Sequence, residues 1–175
     1  MNLIKPLKVI LLLLTCFCLA SQSLYAWQQQ VDYSLSVKLD DRNHYLFGSE
    51  IITYHNNSPD TLSELYLHLY PNAFKDKNTV YAREAYAAGD DFFYYADKDD
   101  RGWIDILDVR SNVMRKYEIN GTIMRMELSA PCLPDSHIVF GLTFYLKIPQ
   151  IFSRLGHANN HYEFTQWYPK VCTYD

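Results

Sequence analysis

From about residue 31 onward, apolar and polar positions take turns along the chain. In VDYSLSVKLD, the apolar Tyr33, Leu35, Val37 and Leu39 alternate with Ser34, Ser36 and Lys38. That period of two marks a strand with one face buried. LFGSEIITYHN continues the pattern after the polar residues Asp40 to Asn43, so the two segments are predicted to form a hairpin. NNSPDT reads as a turn, and Leu65, Leu67 and Leu69 then alternate with Tyr66 and His68 in another strand. WIDILDV is a further strand. Asn120-Gly121 between YEI and TIMRMEL is a strong short-range hairpin signal. After a turn from Pro131 to Ser136, the positions Ile138, Phe140, Leu142, Phe144, Leu146 and Ile148 alternate up to Pro149. This is the longest strand the pattern predicts. YEFTQW reads as one more.

The middle of the chain departs from this rhythm. TVYAREAYAAG has the composition of a short helix, and DDFFYYADKDDRG reads as an acidic, aromatic loop. Strands on both sides, without long helical periodicity, predict an all-β fold. The expected architecture is an antiparallel, saddle-like β-sandwich with one short helical and loop insertion. No repeat, linker or low-complexity tract divides residues 27–175, which read as one domain.

Residues 1–26 follow a different logic. Lys5 and Lys8 precede the apolar run VILLLLTCFCLA, which is too short to span a bilayer comfortably, and small residues follow. This predicts a secretory signal peptide and export to a bacterial periplasm or the extracellular space. Cleavage fits after Ala20 or Ala26, and the start of the ordered pattern at Trp27 favours Ala26. Leu13-Leu14-Thr15-Cys16 is a poor lipobox because Thr15 stands where Gly or Ala is usual. No transmembrane helix is expected once the signal is removed.

The chain of 175 residues is 49% apolar and 15% aromatic, so it has room for a real core and is not of disordered composition. Its formal charge is −4; without Lys5 and Lys8 it has 14 basic against 20 acidic side chains, about −6. That balance argues against nucleic acid or an anionic membrane surface as an electrostatic partner. Cys16 and Cys18 fall in the signal. Cys132 and Cys172 could pair in an oxidising compartment, but nothing in the sequence makes them neighbours.

Candidate chemistry starts at HANNH. His157 and His161 are four residues apart, with Glu163 close behind, as in part of a zinc site. A zincin has glutamate directly after its first histidine, whereas Ala158 stands here. Gly156, Asn159 and Asn160 favour a turn over the helix that would present both rings together. Two loop histidines are the plainer reading. In DKDDRGWIDILD, Asp97, Asp99, Gly102 and Asp105 match positions one, three, six and nine of a calcium loop, with Asp108 at twelve. Against this weak candidate, Arg101 puts a cation at a ligand position and no helix pair flanks the loop. Phe92, Phe93, Tyr94, Tyr95 and Trp103 could form a sugar-stacking platform, though such residues more often pack cores. No G-x-S-x-G, persuasive Cys/His pairing or phosphate-binding glycine loop is present.

Three stretches, taken in order, carry a resemblance. These are WQQQVDYSLSVKLDDRNHYLFGSEIITYHNNSPDTLSELYLHLYPNAFK; RGWIDILDV followed by INGT; and KIP, then RLG, then YEFTQWYPKVCTYD. Together they resemble the N-terminal β-domain of zinc aminopeptidases of the aminopeptidase N and leukotriene-hydrolase type, in their bacterial secreted branch. The resemblance covers essentially everything after the signal. It implies a saddle of antiparallel strands packed on a thermolysin-like catalytic domain, which carries H-E-x-x-H and a downstream glutamate. It also implies that the β-domain supplies no zinc ligand, while one of its loops lines the site and recognises the free α-amino group of a peptide.

The matching stretch is Thr165-Gln166-Trp167-Tyr168. Gln166 keeps the first position of the family's Gln-x-Glu or Gln-x-Gln pattern, but Tyr168 replaces the last one. The resemblance thus implies substrate contact by Gln166 and Tyr168, supported by Trp167 and Tyr162; the alternative for these residues is packing between domains. None of the six histidines precedes a glutamate, and no M-E-N occurs. The expected function is therefore that of a non-catalytic front portion of a longer exported metallopeptidase, with no cofactor of its own and zinc in the catalytic domain. A secreted glycan- or protein-binding module using the aromatic loop is the alternative.

Overall fold

The computed structural model describes residues 27–174, so the signal-peptide assignment for residues 1–26 lies outside the described residues. Alternating segments become strands β1 (Gln30–Asp40), β2 (Tyr45–Asn56), β3 (Leu62–His68), β4 (Trp103–Arg110) and β5 (Met114–Asn120). They continue as β6 (Ile123–Cys132), β7 (Ser136–Lys147), β8 (Gly156–Ala158), β9 (His161–Glu163) and β10 (Lys170–Val171). One four-stranded sheet has the order β1-β2-β7-β4 and the other β10-β3-β6-β5, with β8 and β9 forming a small hairpin. Every pairing between these ten strands is antiparallel, giving an all-β, sandwich-like fold.

Register decides which residues become core. Leu39, Leu46, Leu146 and Ile104 share one row across the first sheet, and Val37, Gly48, Phe144 and Ile106 share another. Of these, Leu46, Leu146, Ile104 and Phe144 meet Leu65, Leu67, Met124 and Met126 of the second sheet in one buried cluster, whereas Val37 and Leu39 on β1 stay exposed. A side chain at Gly48 would collide with the Phe144 ring, its Cβ falling 2.4 Å from the ring. Glycine here therefore makes room for an aromatic neighbour. The NNSPDT turn is held from inside: Asn56 Nδ2 donates to the carbonyls of Asp60 (2.8 Å) and Cys132 (3.1 Å), and its Oδ1 accepts from the Ser58 hydroxyl at 2.6 Å.

The insertion is built around aromatic packing. The helix Val80–Ala87 starts at Thr79, whose hydroxyl accepts the Ala82 N–H. Tyr81 lies 5.0 Å from Phe74 and 5.3 Å from Phe93, and Phe93 meets Phe152 edge to face at 4.8 Å. The acidic, aromatic stretch is thus not wholly loop: Phe92–Tyr95 is a helical turn that directs Phe93 into the core.

Four details differ from the sequence pattern. β7 is 12 residues long and β2 matches it, so β7 is not longer. Asn120 pairs with Ile123 and belongs to β5; the two-residue loop is Gly121-Thr122, with φ of 57° at Gly121. A glycine at the first loop position is the requirement of a type II′ turn, which takes precedence over the Asn-Gly pairing of type I′. Pro131 and Cys132 end β6, and the turn before β7 is tighter than Pro131 to Ser136. YEFTQW is extended only through Glu163, because the backbone turns left-handed at Gln166.

Candidate functional site

The segment that follows β7 folds back over the end of the sandwich. β8 and β9 pair His157 with Tyr162 and Ala158 with His161. His157 then stacks on His44 of the β1–β2 turn, with ring centroids 3.6 Å apart and planes 9° from parallel. The His44 ring nitrogen Nδ1 shares a hydrogen bond of 2.8 Å with the Tyr162 hydroxyl. These contacts clamp the hairpin to the turn beside a cleft of about 420 Å³ lined by His44, Gln150 and His157.

His157 is engaged by stacking, while the His161 ring is exposed and lies 3.4 Å from the Glu163 carboxylate. Among the described residues, no three of His, Cys, Asp and Glu are arranged to hold a metal ion. Burial, then the neighbouring His44, lowers the pKa of His157 from the usual 6.5, and its Nδ1 is buried without a partner. The unfolded chain therefore takes up this proton first, and stability is lost as pH falls through 6.5. Urea unfolding at pH 7 and pH 5 is expected to show a smaller loss for His157→Phe than for the native chain. Equal losses would contradict this account of the clamp.

The four aspartates of the calcium-like loop are dispersed in role. Asp97 precedes the turn Lys98–Asp100, which contains Asp99, whereas Asp105 and Asp108 sit on β4 around a register shift. Asp105 Oδ2 accepts from Trp103 Nε1 at 3.0 Å and from the Tyr145 hydroxyl at 2.7 Å. Asp108 lies 3.6 Å from Arg110. Arg101, which occupied a ligand position in the sequence pattern, donates to the Ala96 carbonyl at 2.8 Å and approaches the Phe93 ring.

The Gln166 turn is mounted on aromatics. Trp167 lies 6.5 Å from the buried Phe144 and 5.2 Å from Tyr168, and Tyr168 packs edge to face on Tyr33 at 5.4 Å. Tyr33 reaches across the sandwich and its hydroxyl accepts the Val171 N–H at 3.0 Å. Trp167 and Tyr168 are half-buried, and Gln166 is exposed with φ of 53°. The other non-glycine residues with positive φ are His44, Asp135 and Asn159, types that enter this region readily; glutamine does not. Gln166→Gly is expected to raise stability by about 1 kcal/mol, read by urea unfolding. A loss of stability would show that the side chain supports the fold.

One residue of the region was not singled out as a candidate from the sequence. Glu50 faces the core from β2, is 1% exposed, and neither carboxylate oxygen has a hydrogen-bond partner. Burial pushes its pKa up to about 8. Burial likewise pushes the Tyr33 phenol up to about 12, with Tyr168 and Glu50 adding to the effect against the Val171 hydrogen bond. The signal was available: Glu50 is in phase with Leu46, Ile52 and Tyr54 on the inward face of β2. Cys132 and Cys172 are unpaired thiols, Cys132 lying 3.3 Å from the Ser136 hydroxyl.

Comparison with family models, curated proteins and solved structures finds no match. Among the described residues, no helix is long and apolar enough to cross a membrane.

Proposed function

We propose that residues 27–175 are the non-catalytic N-terminal β-domain of an exported zinc metallo-aminopeptidase-like protein, shaping the site that receives peptide N-termini. The observation that carries this reading is the backbone at Gln166. An exposed glutamine is held in a left-handed conformation on a base of half-buried aromatics, within the stretch that resembles the family's amine-recognition loop. Strain of that kind collects where a side chain must be aimed. Gln166 offers its amide carbonyl to the peptide's amino group, Tyr168 supplies the second contact, and Trp167 and Tyr162 support them. The zinc would be held by a catalytic domain outside these residues and would supply water activation and carbonyl polarisation there. This chain's own work is to bind and orient.

In the zinc-loaded full-length protein, Gln166→Ala is expected to raise KM for an aminoacyl anilide by about tenfold, the loss of one hydrogen bond to a charged group. The value of kcat should stay within roughly threefold, because the contact is made in ground and transition states alike. An unchanged KM would remove Gln166 from the substrate site.

One observation favours the glycan-binding alternative. A hollow of about 500 Å³ is bounded by Trp103, Tyr145, Asp105, Lys75 and Arg101. It combines an aromatic wall with groups able to bond hydroxyls. A change in tryptophan fluorescence on sugar titration, abolished by Trp103→Phe, selects this reading; a flat titration rejects it.

A further inference from the structure

β1 is an edge strand of its sheet: among the described residues it pairs only with β2, and no other backbone group bonds to its free side. It is also 11 residues long and carries no proline. Proteins normally blunt such an edge, because its unpaired N–H and C=O groups are a template for another strand. Here the inward face is left uncovered as well. Leu35, Val37 and Leu39 are 37%, 49% and 40% exposed, although their row neighbours Glu50, Gly48 and Leu46 on β2 are buried. Burial stops abruptly one strand short of the edge.

The sequence of β1 indicates what completes it. We infer that β1 pairs antiparallel with β1 of a second copy of this chain, in a two-fold register centred on Leu35. In that register Asp32 of each copy faces Lys38 of the other, and Gln30 faces Asp40. Ser34 faces Ser36. On the inward face Val31 meets Leu39, Tyr33 meets Val37, and Leu35 meets Leu35. Sliding one copy by two residues places Asp32 opposite Asp40 or leaves Lys38 opposite Gln30, so only the centred register satisfies both charges. Among the described residues Lys38 has no ion-pair partner, whereas Asp32 is 3.0 Å from His55 and remains accessible. Directly opposed charges and apolar pairs are the unit of sheet stabilisation, and each except the Leu35–Leu35 pair on the axis is made twice by the symmetry. The two sheets would then run as one through the dimer. This inference does not depend on the peptidase reading, since it concerns the edge of β1 alone.

Sedimentation velocity on the full chain across a concentration series tests it. A monomer–dimer equilibrium is expected, weakened at least tenfold by Asp32→Lys or by Lys38→Asp, since each puts like charges opposite one another. The charge-swapped double variant should return to within about threefold of the native constant, because the pairs are re-formed with reversed sign. As a register test that does not rely on affinity, Leu35→Cys should cross-link to itself under mild oxidation in a Cys172→Ser background, and Ser36→Cys should not. Circular dichroism confirms that each variant is folded. A chain that stays monomeric throughout, or association that ignores both charges, overturns the proposal. Cross-linking equally efficient at both cysteines overturns the register.

Discussion

Glu50→Leu is expected to stabilise the protein by about 3 kcal/mol at pH 8 and by much less at pH 4.5. The reason is a carboxyl group that is buried without a partner and titrates at about 8. Below about pH 4.5 it is protonated in both folded and unfolded chains, so it carries no ionisation penalty. As pH rises towards 8 the unfolded chain ionises and the folded one does not, so native stability falls through that window and levels off above it. Leucine removes the titration and fills the row between Leu35 and Leu142. Glu50→Gln should gain less, about 1 kcal/mol, because its amide is left equally unpartnered. Paired urea unfolding curves at pH 4.5 and pH 8 read the difference. A pH-independent gap between native and Glu50→Leu chains would show that the carboxylate finds a partner when charged.

Phe144→Ala is expected to cost about 4 kcal/mol, the upper range for truncating a buried aromatic. Phe144 is fully buried, and Gly48 opposite it has no side chain to collapse into the space. The same ring stands behind Trp167, so the variant should also loosen the base under Gln166. Chemical denaturation gives the first effect. The second should appear as increased amide hydrogen exchange at residues 165–168, while exchange at the far β5–β6 hairpin is unchanged. A loss below about 1.5 kcal/mol would mean that the aromatic layer repacks.

Period-two alternation made the sheets readable in advance, because central strands such as β2 and β7 have one dry and one wet face. It read β1, β2 and β7 to within a few residues, since a one-residue slip would have put Leu142 and Phe144 in water. Alternation does not report distant pairing, so nothing in the sequence announced that His44 stacks on His157 or that Tyr33 supports Tyr168. Those contacts join residues more than a hundred positions apart. The turn at Gln166 was also hidden, because glutamine is not a residue type that signals a left-handed backbone. Glu50 was in view as a charge on an apolar stripe. The calcium-like spacing of Asp97, Asp99, Asp105 and Asp108 was legible only as spacing; hydrogen bonds from Trp103 and Tyr145 decide what Asp105 does.

The central claim is that this β-domain serves a zinc peptidase, and the source DNA downstream of the Asp175 codon tests it most directly. The account predicts an open frame that reaches H-E-x-x-H with a downstream glutamate, and a full-length product that hydrolyses aminoacyl anilides in a zinc-dependent way. A stop codon directly after Asp175, or a continuing frame without that zinc motif, would contradict it.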